Sequence, residues 1–543
     1  MISKRYWTGV AGIAAFATGL SLMVVAFGVS ASRSNAAPQS TQAVGTLKAV
    51  IDTVDFLDPQ QAYTGQAWWA MWNVYETLIT YKHVSGGAGY RLVPGLAQSL
   101  PTVSSNGRVY KFTLRKGIKY SDGSTMKASD FKYAIKRGFL ATGQGVGFYT
   151  DIVGAEEFSK TLTGDIPGIV VNNAKRTITI KLTKRRGDFL TILALIFAAP
   201  VPDGTPPAIQ NGTIPSSGPY KIINYDPNRG FDMVRNTYFK PTKYIPKGNP
   251  NKVEVSLIGD ANVAVQRVID GQADYTNAAI PPDRIATVRT KGQLKLRAAA
   301  NTYYFWMNTT QAPFNKLQVR KAVNMAVDRQ AMVQLVWGGL GRPTQNVLPP
   351  TYPSYKKLTL YPKNVTKAKQ MITAAGANGA KVTVWTRAVD DAVTAGQYYT
   401  SVLNNIGLDA SLNILPRATY YSTIGNVNTH AQTGWARWLE DYPHPLDWFD
   451  VLLNGNRITD QDNNNYAWFN NKKINAEIEG LKKEPNLTPA VNARWTKVEK
   501  EIMQQAPWAP WSNRVFPEFF TKQMGCIHMQ ALYGFDLARV CRK

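Results

Sequence analysis

The stretch Tyr110-Lys111-Phe112-Thr113-Leu114-Arg115-Lys116-Gly117-Ile118-Lys119-Tyr120-Ser121-Asp122-Gly123 carries two local readings. Tyr110, Phe112 and Leu114 alternate with Lys111, Thr113 and Arg115, the period of a half-buried strand over Val109–Arg115. Asp122-Gly123-Ser124-Thr125 is then a turn-rich approach to a helix. The same alternation recurs over Thr177–Leu182, where Ile178, Ile180 and Leu182 form one face, and at Val253, Val255 and Leu257.

Further along, Lys381–Thr386 (strand), Asp391–Ile406 (helix) and Asp409–Leu415 (strand) read as a β-α-β unit. One helix is expected over Lys316–Trp337, with Asn315 as N-cap and Gly338-Gly339 as its stop. Another is expected over Val365–Ala375, ending at Gly376. There is no internal repeat. Strands and helices mixed without strict alternation predict an α/β protein of several lobes. With 543 residues, 44% of them hydrophobic, the chain has material for more than one core and implies two or three domains.

The N-terminus orders a basic tip (Lys4, Arg5), an uncharged apolar run from Val10 to Val29, and a Ser/Ala/Asn-rich segment to Gln42. That order predicts a secretory signal peptide over residues 1–36, with cleavage fitting after Ala31 or after Ala36. An uncleaved anchor is the alternative, because the run is just long enough to span a bilayer. No Cys near the exit offers a lipid attachment point. The net charge of +26 often signals nucleic acid. An exported protein rarely meets it, so no nucleic-acid partner is expected, and the scattered Lys and Arg read as a solvated surface. Cys526 and Cys541 are the only cysteines and are expected to form one disulfide in an oxidising compartment. Two cysteines and the scattered His83, His430, His444 and His528 give no metal-ligand spacing, and no metal or other cofactor is expected.

Enzyme signatures are sparse. Ser124-Thr125-Met126-Lys127 matches Ser-x-x-Lys, but lacks the partner motifs of that chemistry and sits in a turn. The carboxylate pairs Glu156-Glu157 and Asp390-Asp391 read as solvated. Aromatic clusters are denser: Trp68-Trp69-x-x-Trp72, Tyr303-Tyr304-Phe305-Trp306, and Trp435 to Trp448. Trp72 and Phe305 fit core packing. In the last cluster, Trp435, Trp438, Tyr442 and Trp448 share an irregular segment with Arg437, Glu440, Asp441 and Asp447, as a ligand pocket requires.

Three ordered blocks carry a resemblance. The first runs from Leu96-Ala97-Gln98-Ser99 through Tyr110–Gly123 to Ala128-Ser129-Asp130-Phe131. The second is Ser217-Gly218-Pro219-Tyr220 with Arg235-Asn236. The third is Pro313-Phe314, Val319-Arg320-Lys321-Ala322 and Ala326-Val327-Asp328-Arg329. Together they resemble the bacterial extracellular solute-binding proteins of family 5, the dipeptide- and oligopeptide-capturing subunits of ABC importers, over essentially the whole chain after the leader.

The resemblance implies a two-lobed periplasmic-binding-protein-like (Venus flytrap) fold with an extra domain inserted in the first lobe. Lobe I would comprise residues 44–82, 202–300 and 506–543, the insert 83–200, and lobe II 301–505. It implies a monomeric, extracytoplasmic, non-enzymatic protein that captures short peptides and passes them to membrane permease subunits. Trp438-Leu439-Glu440-Asp441-Tyr442 resembles the family's Trp-x-x-Asp-Tyr segment, whose Asp pairs with the ligand's α-ammonium group. Tyr63-Thr64-Gly65, after Leu57-Asp58-Pro59, matches a region that gives main-chain bonds to extended peptides. Ligand contacts are thus expected from Asp441, Trp438, Arg437, Trp435, Tyr442, Tyr63 and Gly65. Arg437 departs from the small residue of oligopeptide binders, and would narrow the pocket or hold a ligand carboxylate. A metal chelate, haem, opine or oligosaccharide is the alternative ligand on the same fold, and a secreted hydrolase the remote alternative.

Overall fold

The computed structural model describes residues 45–207, 209 and 213–543; the leader and its cleavage sites lie outside the described residues. Two mixed sheets dominate. The first has seven strands, in the order Gln293–Arg297, Phe516–Phe520, Tyr275–Thr276, Thr46–Ile51, Lys252–Leu257, Gly230–Arg235 and Tyr220–Asp226. The second has six, in the order Gly341–Pro343, Trp508–Arg514, Asn301–Met307, Thr433–Leu439, Lys381–Arg387 and Asp409–Leu415. Its central strand Asn301–Met307 is buried on both faces, which explains the aromatic run there as core rather than pocket. A four-stranded antiparallel sheet holds the opening stretch: Val109–Thr113 pairs with Thr177–Lys181, Val109 facing Lys181 and Phe112 facing Ile178.

The β-α-β unit forms as expected, with Lys381–Arg387 parallel to Asp409–Leu415 and the helix Asp390–Asn405 packed on both. The single helix expected over Lys316–Trp337 is instead two, Leu317–Ala326 and Arg329–Trp337. Val327 is extended, and the Asp328 side chain accepts a hydrogen bond from the Ala331 amide, capping a new N-terminus. Apolar spacing continues across the break, so periodicity alone does not reveal it.

The chain crosses between the two sheets twice, between Arg297 and Asn301 and between Arg514 and Phe516. Trp508–Arg514, within the segment expected to return to the first lobe, pairs with Asn301–Met307 inside the second sheet. The two crossings are stapled side by side. The Asn301 side chain donates to the Arg514 carbonyl at 2.8 Å and accepts from the Arg514 amide at 2.7 Å. Asn513 reciprocates to the Asn301 carbonyl at 2.7 Å. Two adjacent strands so tied make a hinge that bends at few positions.

Cys526 and Cys541 are disulfide-bonded, with Cα atoms 5.4 Å apart, beside the short antiparallel pair Met524–Gly525 and Cys541–Arg542. Among the described residues no helix is long and apolar enough to cross a membrane.

Candidate functional site

Three parallel strands of the second sheet, Lys381–Arg387, Asp409–Leu415 and Thr433–Leu439, end at one edge. The start of Asn301–Met307 and the end of Trp508–Arg514 lie at that same edge, so it faces the hinge. Carboxyl ends of parallel strands are where open α/β sheets expose loops to a ligand. Arg387 is the last residue of its strand, Arg417 follows the next strand closely, and Arg437 to Asp441 close the third.

The opposing lobe contributes a loop shaped before it meets this edge. The Asp55 carboxylate accepts from the Tyr63 amide at 2.7 Å and the Thr64 amide at 3.0 Å. Thr64 caps the helix Gly65–Val74. Behind the loop, Arg137 grips Asp58 with both terminal nitrogens, at 2.8 and 2.5 Å, in a fully buried pair. Tyr63 is thereby aimed across the cleft, and its hydroxyl donates to Asp441 Oδ1 at 2.8 Å.

Two further contacts cross beside it. The Tyr90 hydroxyl donates to Glu440, whose other oxygen accepts from Tyr352 at 2.8 Å. The Tyr442 hydroxyl donates to Asp188 at 2.9 Å, and Arg186 holds the same Asp188 with two nitrogens at 2.9 and 2.6 Å. Glu440, Asp441 and Tyr442 thus each reach an element of the other lobe or its insert.

Charge is distributed unevenly over this edge. Asp188 is paired: burial opposes its ionisation, the Arg186 guanidinium outweighs burial, and the carboxyl sits at about 2. Glu440, Asp441 and Asp447 form no ion pair among the described residues, though the Arg297 charge acts on Glu440. Loss of water pushes Glu440 up to about 8, although Tyr90 and Tyr352 stabilise its charge. Loss of water also raises Asp441, with only the Tyr63 hydrogen bond opposing. Asp447 is raised by its own burial and by the Asp441 charge. It accepts from Trp438 Nε1 at 3.0 Å and the Asp441 amide at 3.1 Å, while its Oδ1 is enclosed with no partner.

The arginines show the converse. Arg137, Arg186, Arg297, Arg494 and Arg542 each form an ion pair, but Arg387, Arg417 and Arg437 form none among the described residues, and only the charge of Asp391 acts on Arg387 and Arg437 from a distance. Arg387 is 7% exposed and its Nε has no hydrogen-bond partner. The edge is therefore negative at Glu440–Asp447 and positive at Arg387–Arg437.

Of the residues expected from sequence, Asp441, Tyr63, Trp438 and Tyr442 come together through these contacts. Arg437 precedes Trp438 on the same strand, donating only to the Tyr303 hydroxyl at 3.4 Å. Two further expected residues stand apart from these contacts. Trp435 is wholly buried and serves as the floor on which Arg387 rests, 4.9 Å from its ring, because it lies in a strand covered on both sides. Gly65 is the exposed first residue of its helix, with open space around it, so nothing there requires glycine. Ser124 is bonded to Asp122 in an exposed turn. Sequence reasoning missed Tyr90, Asp188 and Arg387; only Arg387 had a signal, its place at the end of a strand in the β-α-β unit. No group of three or more metal-ligating side chains forms among the described residues.

Residues 91–460 match the model of the bacterial extracellular solute-binding proteins, family 5. The chain belongs to family 5. Members of family 5 are extracytoplasmic binding proteins rather than enzymes. Among its relatives is heme-binding protein A of Haemophilus influenzae, 26% identical over 497 residues, covering 85% of each chain. Another is di/tripeptide-binding protein 1 of Pseudomonas aeruginosa, 26% identical over 491 residues, covering 83% of this chain and 86% of that one. Among solved structures, clavulanic acid biosynthesis oligopeptide binding protein 2 superposes with a TM-score of 0.85, at 24% identity, over 92% of this chain and 96% of that one. The two-lobed family 5 fold is thus shared along nearly the whole described chain.

Proposed function

We propose that the protein captures short peptides between its lobes and delivers them to the permease subunits of an ABC importer. One observation carries this reading: the edge between the lobes presents unpaired carboxyls at one end and unpaired guanidiniums at the other. A charge withdrawn from water costs several kcal/mol unless matched, and a zwitterionic peptide matches both ends. Its α-ammonium belongs with Asp441 and its α-carboxylate with Arg387 and Arg437. Relatives named for di- and tripeptides and for oligopeptides support the ligand class.

Truncating one member of a buried charge pair costs on the order of 2–5 kcal/mol, so Asp441→Ala is expected to weaken binding of a tripeptide well over tenfold. N-acetylating the peptide removes the same charge from the other side and is expected to mimic the substitution. Titration calorimetry on both proteins with both peptides is the test. Equal affinity in wild type and Asp441→Ala, or indifference to acetylation, removes the peptide assignment.

A further inference from the structure

The arginine end holds more positive charge than one peptide terminus can match. Arg387 rests on the Trp435 ring at 4.9 Å and faces the Tyr421 ring at 5.7 Å. With ring faces on either side, its N–H edge is the direction left for a ligand, which is the geometry of a planar, bidentate carboxylate. Arg437 stands on the neighbouring strand: Trp385 pairs with Gly434 in parallel register, which carries Arg387 alongside Ala436 and Arg437. Its one protein partner is the Tyr303 hydroxyl, at 3.4 Å. Arg417 lies exposed at the rim. Asp391, in the first turn of the helix Asp390–Asn405, forms no ion pair with any of the three, but its charge favours the cations of Arg387 and Arg437.

Buried Arg387, half-buried Arg437 and exposed Arg417 thus bring three positive charges against the one negative charge of Asp391. The α-carboxylate of a peptide supplies one negative charge. One positive charge is left unmatched in a closed cleft, where an unmatched charge is strongly unfavourable.

Building on the peptide reading, we infer that Arg387 and Arg437, with Arg417 at the rim, take a dicarboxylate end, so that the protein prefers short peptides whose C-terminal residue is Asp or Glu. Arg437 is the specificity-determining residue in this arrangement. Arg387 meets the α-carboxylate, and Arg437 meets the side-chain carboxylate.

The test compares Ala-Ala-Glu with its neutral isostere Ala-Ala-Gln and with Ala-Ala-Lys, by calorimetry on the wild type, Arg437→Ala and Arg417→Ala. Ala-Ala-Glu is expected to bind on the order of tenfold or more tighter than Ala-Ala-Gln, with Ala-Ala-Lys weakest. Arg437→Ala is expected to abolish the preference, lowering Ala-Ala-Glu affinity by a larger factor than Ala-Ala-Gln affinity. Arg417→Ala, at an exposed position that folding does not need, is expected to reduce the preference by a smaller factor. Equal affinity for Glu and Gln peptides in the wild type overturns the inference and leaves the peptide reading standing. A preference that survives both substitutions also overturns it, because the second charge is then read elsewhere. If none of the three peptides binds, the peptide reading falls and this inference with it.

Discussion

Asp441 lies with Asp447 and Glu440 in a group of acids that have lost water and lack a cation, so the empty cleft holds protons that the same groups would release in bulk solvent. The sign of the consequence is fixed. A carboxyl whose pKa is raised in the closed, ligand-free state and lowered by a ligand ammonium gives up its proton when the ligand enters that state, so the closed state's affinity rises with pH. The rise is bounded above by the peptide amine, which loses its own charge near pH 8. Peptide affinity is therefore expected to strengthen from about pH 5 to about pH 7, by up to tenfold per unit for one proton. Calorimetry at neutral pH in buffers of different ionisation heat is expected to report proton release. Proton uptake, or a flat profile over that range, contradicts the arrangement. His444 does not mask the effect: burial holds it at about 4, so it stays neutral throughout.

At the scale of elements, the loop Arg185–Asp188 of the insert docks on the turn after the helix Lys472–Leu481. The Gly187 amide donates to the Lys482 carbonyl at 2.9 Å, and a Cβ on Gly187 would lie 1.9 Å from the Glu484 carbonyl oxygen. Gly187 touches no proposed ligand position, and its close approach belongs to the state in which the lobes meet. Gly187→Ala is expected to keep the melting temperature of the free protein but weaken peptide binding, by opposing closure alone. Unchanged affinity in that variant means the loop is not part of the closing surface. The disulfide belongs to this scale as well. It closes a separation of 15 residues and pins the last strand beside Met524–Gly525, a constraint worth about 3 kcal/mol in the chain-entropy picture. Reduction is expected to lower thermal stability modestly, and non-reducing peptide mapping to recover Cys526 joined to Cys541.

For the whole molecule, two lobes joined by two stapled crossings are expected to move about them, with the contacts of Tyr63, Tyr90 and Asp188 with residues 440–442 as those that closure makes. A peptide that replaces the missing charges favours the closed state by its differential affinity for it. Small-angle scattering is expected to show a smaller radius of gyration with saturating peptide than without. The same radius in both conditions speaks against closure as the capture mechanism.

Much of this architecture was legible along the chain, because it rests on local physics. Period-two alternation marked Val109–Thr113 and Thr177–Lys181. The β-α-β unit showed in its changes of period, and the ordered blocks around Tyr110–Gly123 pointed to the two-lobed fold before any contact was known. Asp441 stood out because Trp438–Tyr442 resembles a short contiguous segment of the family. What only the tertiary structure decided concerns groups brought together from far apart. Tyr63 and Asp441 are 378 residues apart, and Gly187 meets a turn almost 300 residues later. The membership of Trp508–Arg514 in the second sheet follows from pairing rather than pattern. So does the conversion of Trp435 from pocket wall to buried floor. Which carboxyls lose water, and which arginines lack an anion, are properties of the assembled edge. Periodicity is carried by consecutive residues, whereas desolvation and charge balance are set by whatever the fold places within a few ångströms.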